Sequence, residues 1–202
     1  MKQTVIYTFL FALALCGGAF FLLKDQRTGS HNVVIMPHLT PPLATPVATP
    51  WISPDGSKTL VMKTTIGADA RKTYSFSVQE SPSLGEHLVY SKTLDVGDEM
   101  SIPFNSWSPN NQYFFIQEKG KDGEHILVLK ASGASFPDGN IFIDVNSAYV
   151  EKKIPYAFEQ VTGWAAPTLL VVNTKSPTSS APISFWFDIS KKSFIRLSTS
   201  FQ

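Results

Sequence analysis

From Thr59 onward the chain alternates short runs of β-branched and aromatic residues with clusters of Gly, Asn, Asp, Ser and Pro. Such runs read as strands and such clusters as turns. The runs fall into three groups. The first is 59–65 (TLVMKTT), 73–80 (TYSFSVQE) and 87–94 (HLVYSKTL). The second is 113–119 (YFFIQEK), 124–131 (EHILVLKA) and 140–146 (NIFIDVN). The third is 168–174 (TLLVVNT), 182–189 (PISFWFDI) and 193–200 (SFIRLSTS). A further strand leads into the second group at 100–107 (MSIPFNSW) and into the third at 156–164 (YAFEQVTGW). Asp55-Gly56, Asn110-Asn111, Lys121-Asp122-Gly123 and the stretch 188–192 supply turns, the first two with residues that tolerate positive φ. "FFI" and "LLVV" are apolar on successive residues, which predicts strands buried on both faces. No window in this region has a helical period. The expectation is an all-β region of antiparallel four-stranded units.

The units share a corner. Ser53-Pro54-Asp55-Gly56 precedes the first apolar strand, and Ser108-Pro109-Asn110-Asn111 precedes the second. Ala165-Ala166-Pro167 stands before the third, without the Ser or the Asp-Gly. Trp107 and Trp164 immediately precede their corners, whereas Ile52 holds that place in the first unit and Trp51 lies one residue earlier. A one-residue offset turns a strand side chain to the opposite face, so Trp51 is expected to cap an edge. A period of roughly 40–60 residues with strand-rich units suggests a propeller-type array.

"SPDGSKTLVM" and "WSPNNQYFFI" resemble the WD40-like Pro-Asp repeats of TolB-type β-propellers, over about Trp51 to Gln202. The resemblance implies a partial or open propeller of about three blades acting as a binding platform, often extracytoplasmic. Some propellers of that family precede a peptidase domain, and none is expected within these residues. Propellers generally close with four or more blades. Three blades leave an open array, a ring completed by two chains, or sheets packed as a distorted sandwich.

The N-terminal pattern differs. Thr4 to Leu23 carries no charge and is flanked by Lys2 and Lys24. At 1.5 Å per residue, about twenty helical residues match the roughly 30 Å hydrocarbon core. Residues 1–27 therefore read first as an uncleaved transmembrane signal anchor. A cleaved signal peptide is the second reading, and a lipoprotein with "LALC" ending at Cys16 the third. Lys2 against Lys24 and Arg27 scarcely sets the orientation. A short N-terminus ahead of a first helix favours a single-pass protein with its domain on the extracytoplasmic side of the cell membrane. Residues 28–50 carry prolines at 37, 41, 42, 46 and 50, a semi-rigid stalk or a proline-rich ligand, with 32–36 (NVVIM) as a short strand or loose chain. The β domain then spans 51–202.

Charge and chemistry narrow the function. The chain has 17 basic and 16 acidic residues. With Lys2, Lys24, Arg27 and Asp25 ahead of Trp51, the β domain is close to neutral, and no basic cluster invites nucleic acid. The single cysteine, Cys16, lies in the apolar run, so the domain has neither disulfide nor thiol chemistry. Gly-Glu-His occurs at 85–87 and 123–125, placing Glu86/His87 and Glu124/His125 as acid-base or metal candidates. Each pair is more simply the start of a strand, at matching points of two hairpins. Asp95, Asp98 and Glu99 gather in a loop that reads as solvated rather than calcium-binding. The expectation is a non-catalytic binding or scaffold module without cofactor or metal, recognising a protein or peptide. A homodimer completing the propeller and a hydrolase or accessory subunit using a Glu-His pair are the alternatives.

Overall fold

The alternating segments pair into three four-stranded antiparallel sheets, each a meander of consecutive strands. The structure is a computed structural model, and it describes residues 46–80, 84–178 and 182–198. The expected anchor, the stalk up to residue 45 and the end of the last expected strand lie outside that range. Among the described residues no helix is long and apolar enough to cross a membrane.

The first sheet comprises β1 (Val47–Ile52), β2 (Thr59–Ile66), β3 (Lys72–Gln79) and β4 (Glu86–Leu94). β1 starts inside the stretch read as stalk, because Val47 to Ile52 pair with Thr64 to Thr59 in unbroken register. The second sheet comprises β5 (Glu99–Ser101), β6 (Tyr113–Gly120), β7 (Gly123–Lys130) and β8 (Phe142–Asp144). The third comprises β9 (Ala157–Ala166), β10 (Leu169–Lys175), β11 (Pro182–Asp188) and β12 (Ser193–Arg196).

Three expected strands are shorter than the sequence pattern suggested; the 193–200 strand stops at Arg196. The 100–107 strand stops at Ser101, two residues before Pro103, which has no ladder donor, and resumes only as a bridge from Trp107 to Phe114. The 140–146 strand stops at Asp144, where a helix begins, α1 (Val145–Glu151). This corrects the expectation that the β region has no helix. Asp144 is extended (ψ 110°) and its carboxylate accepts the amides of Asn146 and Ser147, an N-cap that wins over strand propensity. Seven residues are too few for a visible helical period.

The middle sheet explains the continuous apolar runs. Phe114, Ile116, Leu127 and Leu129 face the first sheet and pack on Leu60, Tyr74, Phe76 and Val78. Phe115, Ile126 and Val128 face the third and pack on Leu170, Val172, Phe185 and Phe187. Successive residues thus serve two separate cores, with the middle sheet between them. The outward face of the first sheet is different in kind. Opposite Leu60 and Met62 stand Val61, Lys63 and Thr65, and opposite Tyr74 and Phe76 stand Thr73, Ser75 and Ser77. A mostly polar face of this sort finishes one end of a stack.

The first two corners share one hydrogen-bond plan. Ser53 N donates to Lys58 O and Gly56 N to Ser53 O; Ser108 N donates to Tyr113 O and Asn111 N to Ser108 O. Ser53 Oγ donates to Asp55 Oδ1 (2.9 Å) and accepts Lys58 N, while Ser108 Oγ donates to Asn110 Oδ1 (2.9 Å) and accepts Tyr113 N. Proline takes the second turn position, which suits its fixed φ, and the fourth takes positive φ: Gly56 at 75° and Asn111 at 54°. Pro167 also joins the first two strands of its sheet, but by a two-residue loop, since Ala166 pairs directly with Leu169. With no serine there, the longer corner has nothing to hold it.

The corners differ in one titratable atom. The Ser57 amide, with the Ser57 and Ser53 hydroxyls, lowers the Asp55 carboxyl from 3.8 to about 2. A depressed acid stabilises the fold above its unfolded pKa and loses that contribution as pH falls through the folded one. The Ser57 and Lys58 amide resonances should therefore shift as pH drops from 3.8 to about 2. Asp55→Asn, which copies Asn110, should leave them flat, and the Gln112 and Tyr113 amides should stay flat in both proteins. An equal shift in Asp55→Asn would locate the titration elsewhere.

Candidate functional site

The end of β1, the segment Phe104–Trp107 that follows β5, and the end of β9 come together, and the tryptophans set their spacing. Trp107 Nε1 donates to the carbonyl of Trp51 at 3.2 Å, and Trp164 Nε1 to that of Ser106 at 2.9 Å. Each indole therefore reaches back to the position just before its counterpart in the preceding sheet. The 55-to-57-residue recurrence in the sequence reflects this repeated stitch. Trp107 is also 5% exposed and lies 5.5 Å from the Phe114 ring. Trp164 stacks on Tyr113 at 6.2 Å. Trp51, one position out of phase, turns its ring towards the first core and offers its carbonyl to Trp107. Its place on an edge strand fits the expectation of an edge cap.

Between these segments lies a pocket of about 680 Å³. Trp51, Trp107 and Trp164 line it together with the corner prolines Pro54 and Pro109. Ile52, Phe104, Thr162 and Val171 complete much of the wall, and no lining residue is charged. Of the sequence-expected corner residues, Pro54, Trp107, Pro109 and Trp164 meet here. Ser53, Asp55, Gly56 and Ser108 shape the turns behind, and Pro167 is not part of the wall.

Sequence reasoning missed Phe104 and Asn105. Where Pro103 interrupts the strand, the chain makes a turn in which Asn105 takes φ 58° and Phe104 is left 79% exposed. Positive φ in a non-glycine residue is uncommon, and Asn accepts it better than most. The available signal was the Pro-Phe-Asn order inside an apparent strand. Gly163 accommodates the turn: at φ 146° it has no Cβ, and one placed there would lie 3.1 Å from Asn105 Cβ. Ser106 completes the arrangement. Its carbonyl accepts both Phe115 N and Trp164 Nε1, while its hydroxyl is buried without a hydrogen-bond partner. A buried, unsatisfied hydroxyl costs free energy, on the order of 1–3 kcal/mol.

The Gly-Glu-His pairs separate. Glu86 bonds Lys63 at 2.7 Å, and that ion pair with the Ser77 hydroxyl lowers its carboxyl pKa. His87 Nε2 meets the carbonyl of Ala131 at 3.0 Å. His125 pairs not with Glu124 but with Asp144, Nδ1 to Oδ2 at 2.8 Å. His87 stands on the fourth strand of its sheet and His125 on the third, so the two motifs are not structurally equivalent. His125, Asp144, Lys92 and Glu118 border a smaller pocket of about 270 Å³, where Lys92 Nζ holds both Glu118 oxygens at 2.6 and 2.7 Å. In the acidic loop, Asp98 accepts the Lys121 amide and Asp95 lies 3.5 Å from its ammonium. Among the described residues no group of three His, Cys, Asp or Glu side chains is placed to hold a metal ion.

No family model and no curated protein matches the chain.

Proposed function

We propose that this protein is a membrane-anchored, extracytoplasmic, propeller-like module that binds a protein or peptide and carries out no chemistry of its own. The observation that carries this reading is the uncharged pocket to which all three sheets contribute, through β1 and its corner, the Phe104–Trp107 segment and its corner, and β9 with Val171. Aromatic and proline walls with an exposed phenylalanine are what a binding surface presents before it is covered. The succession of three antiparallel meanders with recurring corners supports kinship with TolB-type Pro-Asp repeat propellers. The polar outward face of the first sheet favours an open array over a ring completed by a second chain. The anchor rests on the charge-free run from Thr4 to Leu23.

The test uses the full chain with a photo-crosslinking residue at Phe104, and separately at Leu88, which is 62% exposed on the first sheet. The expected result is a discrete protein adduct from position 104, none from 88, and recovery of the chain with membranes. Equal labelling from both sites, or none from 104, would remove the pocket as a binding site. Recovery in the soluble fraction would remove the anchor.

A further inference from the structure

We infer that His125 works a proton-dependent clasp: when its imidazole takes a second proton, two separate side-chain pairs join into one chain that ties α1 to the first sheet. Both pairs are already in place. Within the second sheet, His125 Nδ1 lies 2.8 Å from Asp144 Oδ2. Between the sheets, Lys92 Nζ on β4 holds the two oxygens of Glu118 on β6 at 2.6 and 2.7 Å. Glu118 and His125 are direct cross-strand partners. Such partners share one face of the sheet, with Cβ atoms about 4.5–5.5 Å apart. Glu118 thus stands between Lys92 and the imidazole.

Asp144 fixes which nitrogen responds. Its carboxylate also accepts the amides of Asn146 and Ser147 and the Ser147 hydroxyl. An ionised carboxylate only accepts, so Nδ1 carries a hydrogen and Nε2 is the nitrogen left to take a proton. Histidine changes charge between roughly pH 5 and 8. Around the same cavity stand Lys92 from β4, Glu118 from β6, Asp98, Lys121 and Asp122 from the adjoining turns, and Asp144. Asp95 lies against Lys121. Tyr90 packs edge-on to Phe142 in the cavity wall; burial, and then the Glu118 charge, push its phenol up to about 12, so it stays neutral throughout. Carboxylates outnumber ammonium groups here, so a positive imidazole enters beside unbalanced negative charge. Glu118 then keeps one oxygen on Lys92 and gives the other to Nε2–H, and the row runs Asp144, His125, Glu118, Lys92.

Location gives the consequence. The first two sheets are tied at their corner end by Trp107 Nε1 on the Trp51 carbonyl. Glu118 lies near the opposite end of β6, which starts beside its corner at Tyr113 and finishes at Gly120. Acid therefore tightens the far end of the junction and leaves the pocket end as it is.

The test is a nuclear magnetic resonance titration of the full chain in detergent micelles, across roughly pH 8 to 5. A His87→Gln background leaves His125 as the one histidine among the described residues. The expected result is that the Lys92 amide and ammonium resonances shift with the midpoint of the His125 ring, together with the amides of Asn146 and Ser147. Glu118→Gln should leave the ring and the cap amides titrating and abolish the Lys92 shift. His125→Gln should abolish all of these shifts. A Lys92 that stays flat while the His125 ring titrates in the Glu118-containing chain, even with the cap amides moving, would overturn the inference. So would a Lys92 shift that persists undiminished in Glu118→Gln.

Discussion

Replacing Trp107 with alanine should destabilise the β domain by about 3–5 kcal/mol, the usual loss for a buried large aromatic. Trp107 does two things at once. Its ring fills the first core against Phe114, and its Nε1 donates to the Trp51 carbonyl, tying the second sheet to the first. Trp107→Phe should recover most of the packing but not the bond, and so lose about 1 kcal/mol more than packing alone predicts. Denaturant unfolding of the three proteins measures both quantities. A loss below about 1 kcal/mol for alanine would mean that the indole is not the tie between sheets.

Phe115→Ala should cost about as much, roughly 3–5 kcal/mol, through the other core. Phe115 is fully buried between Val128 and the residues of the third sheet, with its ring 6.3 Å from Trp164. For a domain of this size the melting temperature should fall on the order of 10 °C. Its chain neighbour Phe114 is equally buried but faces the first sheet. The pair Phe114→Ala and Phe115→Ala thus opens cavities in two different cores. Their losses should add to within about 0.5 kcal/mol, although the residues are adjacent in sequence. Strong coupling would mean that the middle sheet shifts as a body.

Much of this arrangement was readable from residue order. Successive apolar residues in "FFI" imply a strand covered on both sides, and the two cores bear this out; in "LLVV" only Leu170 and Val172 join a core, while Val171 faces the pocket on the other side. The Ser-Pro corners announced matching bends because Ser, Pro and a positive-φ residue at fixed spacing suit few other conformations. The helix at Val145–Glu151 was not readable from periodicity, since its formation turns on one cap, Asp144, within a run that is otherwise strand-like. The pocket was half readable. The recurring tryptophans marked the spacing, but the Phe104–Asn105 turn depends on Gly163, which is distant in sequence and gives way only in three dimensions. The histidine motifs misled because matching letters do not imply matching strands: His87 closes onto Ala131, whereas His125 closes onto Asp144.

The doubly covered middle sheet also constrains how the molecule is made. Until the ribosome has released Phe185 and Phe187, the nascent chain holds Phe115, Ile126 and Val128 with no partner layer. Meander pairing is local and therefore quick, so that sticky surface forms well before its cover. Slow translation across residues 131–170 would prolong the exposure, and holdase chaperones should engage the growing polypeptide most strongly there.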